Sequence, residues 1–251
     1  DDEIAKARQN PEKMNEVICK LLNVYKGAKV TKWITGDRIR PLQTDRRITD
    51  CRYQDGWQVF VGLDFSQGDD LFAVTYLAVD YTPSDTMRGR FFADTDCWVL
   101  EETMRQSPNR PLYEQWAAQG WLHVCPGEVF DSMLAINRIA AVAQSGVNIV
   151  SFGYDPAQSI QPINQLKAWL QTLFQRTDVS PKELADVIQR MVIPVSQTSM
   201  TQNPRIGELE HMILEKEPWL SFSASPLWPF CFGNCACELN SSDLRRIVKG
   251  G

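Results

Sequence analysis

A β-hairpin is the feature that most constrains the fold of this 251-residue chain. Two apolar, β-rich runs, residues 57–64 and 71–81, are separated by a short turn that contains Gly68. So short a connection joins neighbouring antiparallel strands. Residues 90–100 have the composition of a third strand. The region from residue 57 to residue 100 therefore predicts the antiparallel start of a β-sheet.

The second half of the chain predicts helices and a parallel strand. Asp131 is a good N-cap for a helix that ends at Gly146, and residues 147–154 follow as a buried strand that is apolar on both faces. This order is typical of a crossover to a parallel strand of the same sheet. The expected architecture is a mixed sheet flanked by helices, an α/β fold. Further helices are predicted over residues 113–119, from Ser159, after the capping residue Ser180, and from Asn203-Pro204 to about residue 216. The helix from Ser159 is expected to bury Ile160, Ile163, Leu166, Leu170 and Leu173. Further strands are predicted over residues 121–124, 191–195 and 230–239.

Residues 1–50 differ from the rest of the chain. An amphipathic helix is predicted over residues 11–25, and the polar, basic stretch that follows, residues 26–47, has few apolar side chains. We interpret residues 1–50 as a linker arm and residues 51–251 as the folded domain.

Composition narrows the class of protein. The net charge of -5 is weak evidence against a constitutive nucleic-acid binder, but an acidic metal cluster in a nuclease also lowers net charge. The sequence contains no signal peptide and no apolar run of membrane-spanning length, so no membrane partner is expected. The seven cysteines form no Cys-x-x-Cys pair, which favours a reduced, cytoplasmic protein.

Three aspartates lie at the predicted strand ends. Asp64 ends the first hairpin strand, Asp70 precedes the second, and Asp155 follows the strand over residues 147–154. Taken singly, Asp64 and Asp155 also fit turn-forming aspartates. Converged carboxylates, however, repel one another unless a cation lies among them, and Mg²⁺ or Mn²⁺ prefers oxygen ligands. Jointly they favour a two-metal site for phosphodiester hydrolysis, with Asp64 and Asp155 as catalytic residues and with Asp70 as an additional metal ligand.

An ordered series of short motifs, spread over residues 10–249, resembles the nuclease domain of tailed-bacteriophage terminase large subunits. The motifs are Gly62-Leu63-Asp64-Phe65-Ser66 followed by Asp70-Leu71, Trp116-x3-Gly120, Pro126-Gly127 with Asp131, Gly153-Tyr154-Asp155-Pro156, Gln197, Leu209-Glu210 and Asn234.

The resemblance implies a ribonuclease H-like fold and a two-metal endonuclease that cuts concatemeric viral DNA in the host cytoplasm. It also implies double-stranded DNA, an ATPase domain, the terminase small subunit and the portal protein as partners. The chain contains no Gly-x4-Gly-Lys-Ser/Thr phosphate loop, so the ATPase domain is expected upstream, connected through residues 1–50.

The chain departs from the family pattern at one point. The family carries a further aspartate in a Lys-Ile-Asp-Gly-like segment after the final strand, whereas this chain ends in Lys249-Gly250-Gly251. The nearby acids, Glu238 and Asp243, do not match that motif. We therefore expect an incomplete metal site. Arg245, Arg246 and Lys249 form a basic tail that fits either a DNA contact or a solvated end.

Two alternatives remain open at this point. One is another ribonuclease H-like nuclease, of the resolvase, transposase or exonuclease type. The other is a non-catalytic packaging module that clamps DNA or docks on the portal. Metal-dependent nicking of plasmid DNA distinguishes the second from a nuclease.

Overall fold

The computed structural model describes residues 29–65, 70–157, 159–175 and 180–249. The strands are β1 Lys29–Lys32, β2 Gln43–Thr44, β3 Trp57–Asp64, β4 Phe72–Asp80, β5 Phe91–Leu100, β6 Leu122–Cys125, β7 Ile149–Tyr154, β8 Val192–Pro194, β9 Leu220–Ser223, β10 Cys235–Leu239 and β11 Arg245–Lys249. The α-helices are α1 Gly36–Ile39, α2 Glu101–Gln106, α3 Arg110–Ala118, α4 Ser132–Gln144, α5 Ile160–Phe174, α6 Pro181–Met191, α7 Ser199–Leu214 and α8 Leu227–Gly233.

The main sheet contains eight strands within the described ranges, and the predicted hairpin lies at its centre. Strand β3 pairs antiparallel with β4, and β4 pairs antiparallel with β5. On the other side of β3, β7 pairs with it in parallel and β8 pairs in parallel with β7. The outer edge of β5 carries β9 and β6, and β2 extends the sheet beyond β9. The predicted mixed sheet, with its antiparallel start and parallel crossover strand, is confirmed.

Helices cover both faces of this sheet. On one face, apolar side chains of α4, α5 and α6 pack with those of β3, β4 and β7 in the largest core cluster. On the other face, α1, α7 and α8 pack against β9 and the first half of β5, and α3 packs against its second half. The alternating burial along β3, from Trp57 to Leu63, gives this strand one apolar face, which packs in the largest core cluster. In the described part of the chain, no helix is both long and apolar enough to cross a bilayer.

A second, three-stranded antiparallel sheet joins β1, β10 and β11. The sequence predicts a basic tail with no strand at the position of β11. In the structure its five residues pair with β10, and the backbone N–H groups of Arg245 and Ile247 donate to Asn203 and Gln202 of α7. The small sheet therefore packs along α7.

Residues 29–50, the described part of the proposed linker arm, pack on the domain. Ile34, Ile39 and Ile48 are buried, and β2 pairs with β9. The division of the chain at residue 50 stays a prediction. The helix predicted over residues 11–25 lies outside the described residues.

Two predicted element boundaries are wrong. Helix α7 begins at Ser199, capped by Thr198, and not at Asn203, so Pro204 lies inside it. Proline has no backbone N–H, so the carbonyl of Met200, four residues earlier, lacks its usual helical donor. Met200 is exposed near the helix start, where water can take the donor's place.

The predicted strand over residues 230–239 is wrong in its first part. Helix α8 ends at Gly233 with Asn234 as its C-cap, and β10 begins at Cys235. In α5, the predicted burial of Ile163, Leu166 and Leu170 is confirmed, but Ile160 and Leu173, in the first and last turns of the helix, are exposed.

Candidate active site

Two neighbouring parallel strands bring Asp64 and Asp155 to the same edge of the sheet. Asp64 is the last residue of β3, and Asp155 directly follows β7, whose Tyr154 pairs with Leu63. Parallel pairing places the carboxyl ends of the two strands side by side. Both aspartates line one open cavity of about 310 Å³.

The floor of this cavity is made of small residues. Gly62, Gly153 and Thr75 are register partners on β3, β7 and β4, and Ala73 pairs with Asp64. A side chain at Gly153 would meet Val195, because a Cβ there would lie 3.2 Å from the Val195 Cγ2. The small side chains leave the space above the sheet open beside the two carboxylates.

The electrostatics of the cavity centre on Asp64. Burial raises the pKa of Asp64, and the nearby carboxylates of Asp155 and Asp70 raise it further, while Lys249 lowers it. Burial is the largest cause although the residue keeps a solvent-exposed edge. Repelling carboxylates of this kind favour a bound cation among them.

Asp155 is fixed in orientation by its own turn. One carboxylate oxygen, Oδ1, accepts a hydrogen bond from the backbone N–H of Ala157 at 2.9 Å, and the Ser159 hydroxyl donates to the Asp155 carbonyl. The second carboxylate oxygen of Asp155 accepts no hydrogen bond from any described residue, and neither does the carboxylate of Asp64. Within the described ranges, both residues therefore present carboxylate oxygens at the cavity that they line.

Asp70 is close enough to act on Asp64 electrostatically but is not among the residues that line the cavity. Its carboxylate forms an ion pair with the ammonium group of Lys249 at the end of β11. The three-stranded sheet thus brings the basic residue Lys249 to the edge of the main sheet where the aspartates lie.

The donor set fits a hard divalent cation in part. In the ranges that the structure describes, no group of three or more His, Cys, Asp or Glu side chains is arranged to hold a metal ion. Asp64 and Asp155 nevertheless offer carboxylate oxygens to one cavity, and an ammonium group already neutralises the third carboxylate. Mg²⁺ is commonly bound by one or two carboxylates with waters completing its octahedron, so the two aspartates suit it.

Sequence reasoning missed a buried polar cluster on the opposite face of the sheet. Asp96, on β5, accepts a hydrogen bond from Arg138 Nε at 2.8 Å and lies 3.7 Å from His123 Nε2. Two residues earlier on β5, Asp94 binds Arg47 and the backbone N–H of Ile48. The alternation of two aspartates in an otherwise apolar strand was the available signal.

Comparisons with known proteins give a consistent result. The crystal structure of the HK97 bacteriophage large terminase is similar, with a TM-score of 0.66 and 18% sequence identity over 100% of this chain and 47% of that chain. The chain thus spans about half of that protein, and the likeness confirms the ribonuclease H-like fold. The crystal structure of the large terminase nuclease from thermophilic phage G20c gives a TM-score of 0.42 and 11% identity over 86% of this chain and 87% of that one. No curated protein sequence gave a match.

The sequence also matches a family model over almost its whole length. The model is that of the terminase large subunit endonuclease domain, and residues 1–249 match it. The motifs that contain Asp64 and Asp155, at the ends of β3 and β7, lie within this match. This chain therefore belongs to the family of terminase large subunit endonuclease domains.

Proposed function

We propose that this chain is a metal-dependent DNA endonuclease that cuts concatemeric viral DNA during packaging in the host cytoplasm. One observation carries the proposal. Asp64 and Asp155 line one open cavity at the adjoining ends of two parallel strands, where burial and the charge of Asp155 raise the pKa of Asp64. Family membership supports the reaction class and the proposed partners, which are double-stranded DNA, an upstream ATPase domain, the small subunit and the portal.

In this mechanism Asp64 and Asp155 would hold Mg²⁺ or Mn²⁺, and Asp70, which is paired with Lys249 in the structure, would be an additional ligand. Bound divalent ions would neutralise the phosphate and activate a water molecule for attack. The hydrogen bond from the Ala157 N–H would hold the Asp155 carboxylate in place, and the small residues Gly62 and Gly153 leave room for the DNA backbone in the cavity. Rigid placement of these groups by β3 and β7 lowers the entropic cost of aligning the reacting atoms.

Nicking of supercoiled plasmid tests the proposal. The unchanged chain is expected to nick DNA in Mn²⁺, more slowly in Mg²⁺, and not in EDTA, because Mg²⁺ demands stricter geometry and dehydrates reluctantly. Asp64→Asn and Asp155→Asn should each reduce nicking to background, since each loses a metal-binding charge while keeping its shape. Asp85→Asn, in an exposed loop, is the matched control and should nick at the unchanged rate.

Two outcomes would count against the proposal. Nicking that survives both Asp64→Asn and Asp155→Asn would place the chemistry elsewhere. A well-folded chain that nicks in neither metal would favour the non-catalytic module that clamps DNA or docks on the portal. Thermal melting of each variant separates loss of activity from loss of fold.

A further inference from the structure

A second cavity, of about 230 Å³, adjoins the candidate active site. The two cavities share Val195 and Gln197 as lining residues, so they lie side by side. The second cavity has a mostly apolar base, formed by Trp33, Ile206, Leu209 and Ile247. We call the cavity lined by Asp64 and Asp155 the acidic cavity, and this second, more apolar cavity its extension.

One face of α7 supplies most of this extension. Gln202, Arg205, Ile206 and Leu209 follow the i, i+3, i+4, i+7 spacing that places side chains on one side of a helix. Ile206 is buried, whereas Arg205 is exposed. The extension therefore has an apolar base and a polar rim.

Two glutamine side chains hold the rim in place. Gln197 Nε2 donates to the Val195 carbonyl at 3.2 Å, and Gln202 Nε2 donates to Gln197 Oε1 at 2.7 Å. Gln202 Oε1 accepts from the backbone N–H of Ile247 in β11 at 2.9 Å. Because each amide group carries two N–H bonds and these contacts use one, each glutamine keeps a donor for a ligand.

Arg205 is the available cation of the extension. Its guanidinium donates to the Thr201 carbonyl at 3.4 Å, and it forms no ion pair with any residue in the described ranges. Arg245, by contrast, forms an ion pair with Glu210 and a hydrogen bond to Asn203. An exposed guanidinium beside fixed amide donors suits a phosphate group, which it can bind with two parallel hydrogen bonds.

We propose that this extension binds the nucleotide next to the phosphodiester that is cleaved, with its phosphate against Arg205 and the glutamine amides and its deoxyribose against the apolar base. The inference rests on the proposed function, because it takes Asp64 and Asp155 as the point of cleavage. The acidic cavity repels DNA, so a flanking phosphate contact holds the strand in register. Arg205 is thus a positioning residue, in the way that phosphate contacts orient nucleic acids without reading their sequence.

DNA binding in EDTA tests this without any cleavage. Fluorescence anisotropy with a labelled duplex, over a range of salt concentrations, is measured for the unchanged chain, Arg205→Gln and Arg190→Gln. Arg190 is the matched control because it is exposed on α6 and lines neither cavity. Arg205→Gln should weaken binding about fivefold and reduce the slope of log K against log salt by about 0.9, the value for one phosphate contact. Arg190→Gln should change neither quantity.

Steady-state nicking then separates positioning from chemistry. Arg205→Gln should raise KM with little change in kcat, and Arg205→Lys should restore the salt slope but only part of the affinity, because it keeps the charge and loses the planar fork. An unchanged salt slope in Arg205→Gln overturns the inference. If no variant nicks DNA, the endonuclease proposal fails, and the salt slope still decides whether the extension binds a phosphate.

Discussion

At the scale of single residues, Lys249 sets the charge of the candidate site. Its ammonium group pairs with Asp70 and lowers the pKa of Asp64, so it acts as an internal cation that competes with a metal. Lys249→Gln should therefore tighten Mn²⁺ binding by about two- to fivefold, the range set by an exposed ion pair. Isothermal titration calorimetry measures this, with Lys182→Gln as the control on an exposed helix. Weaker Mn²⁺ binding in Lys249→Gln would show that the lysine supports the metal site.

Asp96 makes stability depend on pH. Burial by itself would raise its pKa, but the nearby His123 and the hydrogen bond and charge of Arg138 outweigh burial and leave the pKa of Asp96 below its ordinary value. A carboxyl with a lowered pKa stabilises the fold above its unfolded pKa, about 3.9, and this stabilisation is lost as the pH falls through the folded value.

Asp96→Asn should therefore lower the free energy of unfolding by about 2 kcal/mol at pH 7, and by clearly less at pH 3, where the unchanged carboxyl is becoming protonated. Urea unfolding at the two pH values measures both differences. The exposed Asp85→Asn should have little effect at either pH. An equal loss at pH 7 and pH 3 would contradict the role of the Asp96 charge.

At the scale of elements, α7 holds β11 against the site. The Glu210 carboxylate accepts two hydrogen bonds from Arg245 Nη1, at 2.9 and 2.7 Å, and one from Trp33 Nε1 at 2.7 Å. Glu210→Gln keeps the shape and loses the charge, so the amides of β11 should exchange hydrogen about tenfold faster. Hydrogen exchange measured by mass spectrometry tests this, with the exposed Glu208→Gln of the same helix as control. Unchanged protection of β11 would mean that strand pairing alone holds it.

Local sequence pattern predicts well those elements whose capping residues and apolar periodicity lie within the element itself. The hairpin, α4 with its Asp131 cap, and α6 with the Ser180–Glu183 capping box are confirmed within a few residues. Asp131 accepts from the Met133 N–H and Ser180 from the Glu183 N–H, as their positions predict. These contacts lie within one turn of the chain, so a short stretch of sequence contains all the information.

The elements that were predicted wrongly depend on distant partners. The aromatic residues of α8 have high β-propensity, yet Leu227 and Phe232 are buried in two different core clusters in helical form. Strand β11 exists through its pairing with β10 and through the side chains of α7, which lie far away in sequence. Similarly, the sequence pattern predicts that Asp64 and Asp155 lie side by side, but it does not predict the ion pair of Lys249 with Asp70. That ion pair depends on the pairing of β11 with β10 in the second sheet.

At the scale of the whole molecule, residues 29–50 and the main sheet depend on one another. The Asp94 carboxylate is almost completely buried, at 1% exposure, and its partners outside β5 are Arg47 and the backbone N–H of Ile48. Removing the partner of a buried charge costs about 3–5 kcal/mol. Each of the buried side chains Ile34, Ile39 and Ile48 contributes roughly 1.5–3 kcal/mol more.

A chain that begins at residue 51 is therefore expected to lose its cooperative fold, since these losses together are comparable with the roughly 5–15 kcal/mol that stabilises a typical domain. Circular dichroism melting should give no sharp transition, and the chain should bind the dye ANS through exposed apolar surface. A chain that begins at residue 29 keeps Arg47 and the three isoleucines, and it should melt cooperatively. If the two truncated chains melt at the same temperature, residues 29–50 are an appendage of the domain and Asp94 is stabilised by the sheet alone.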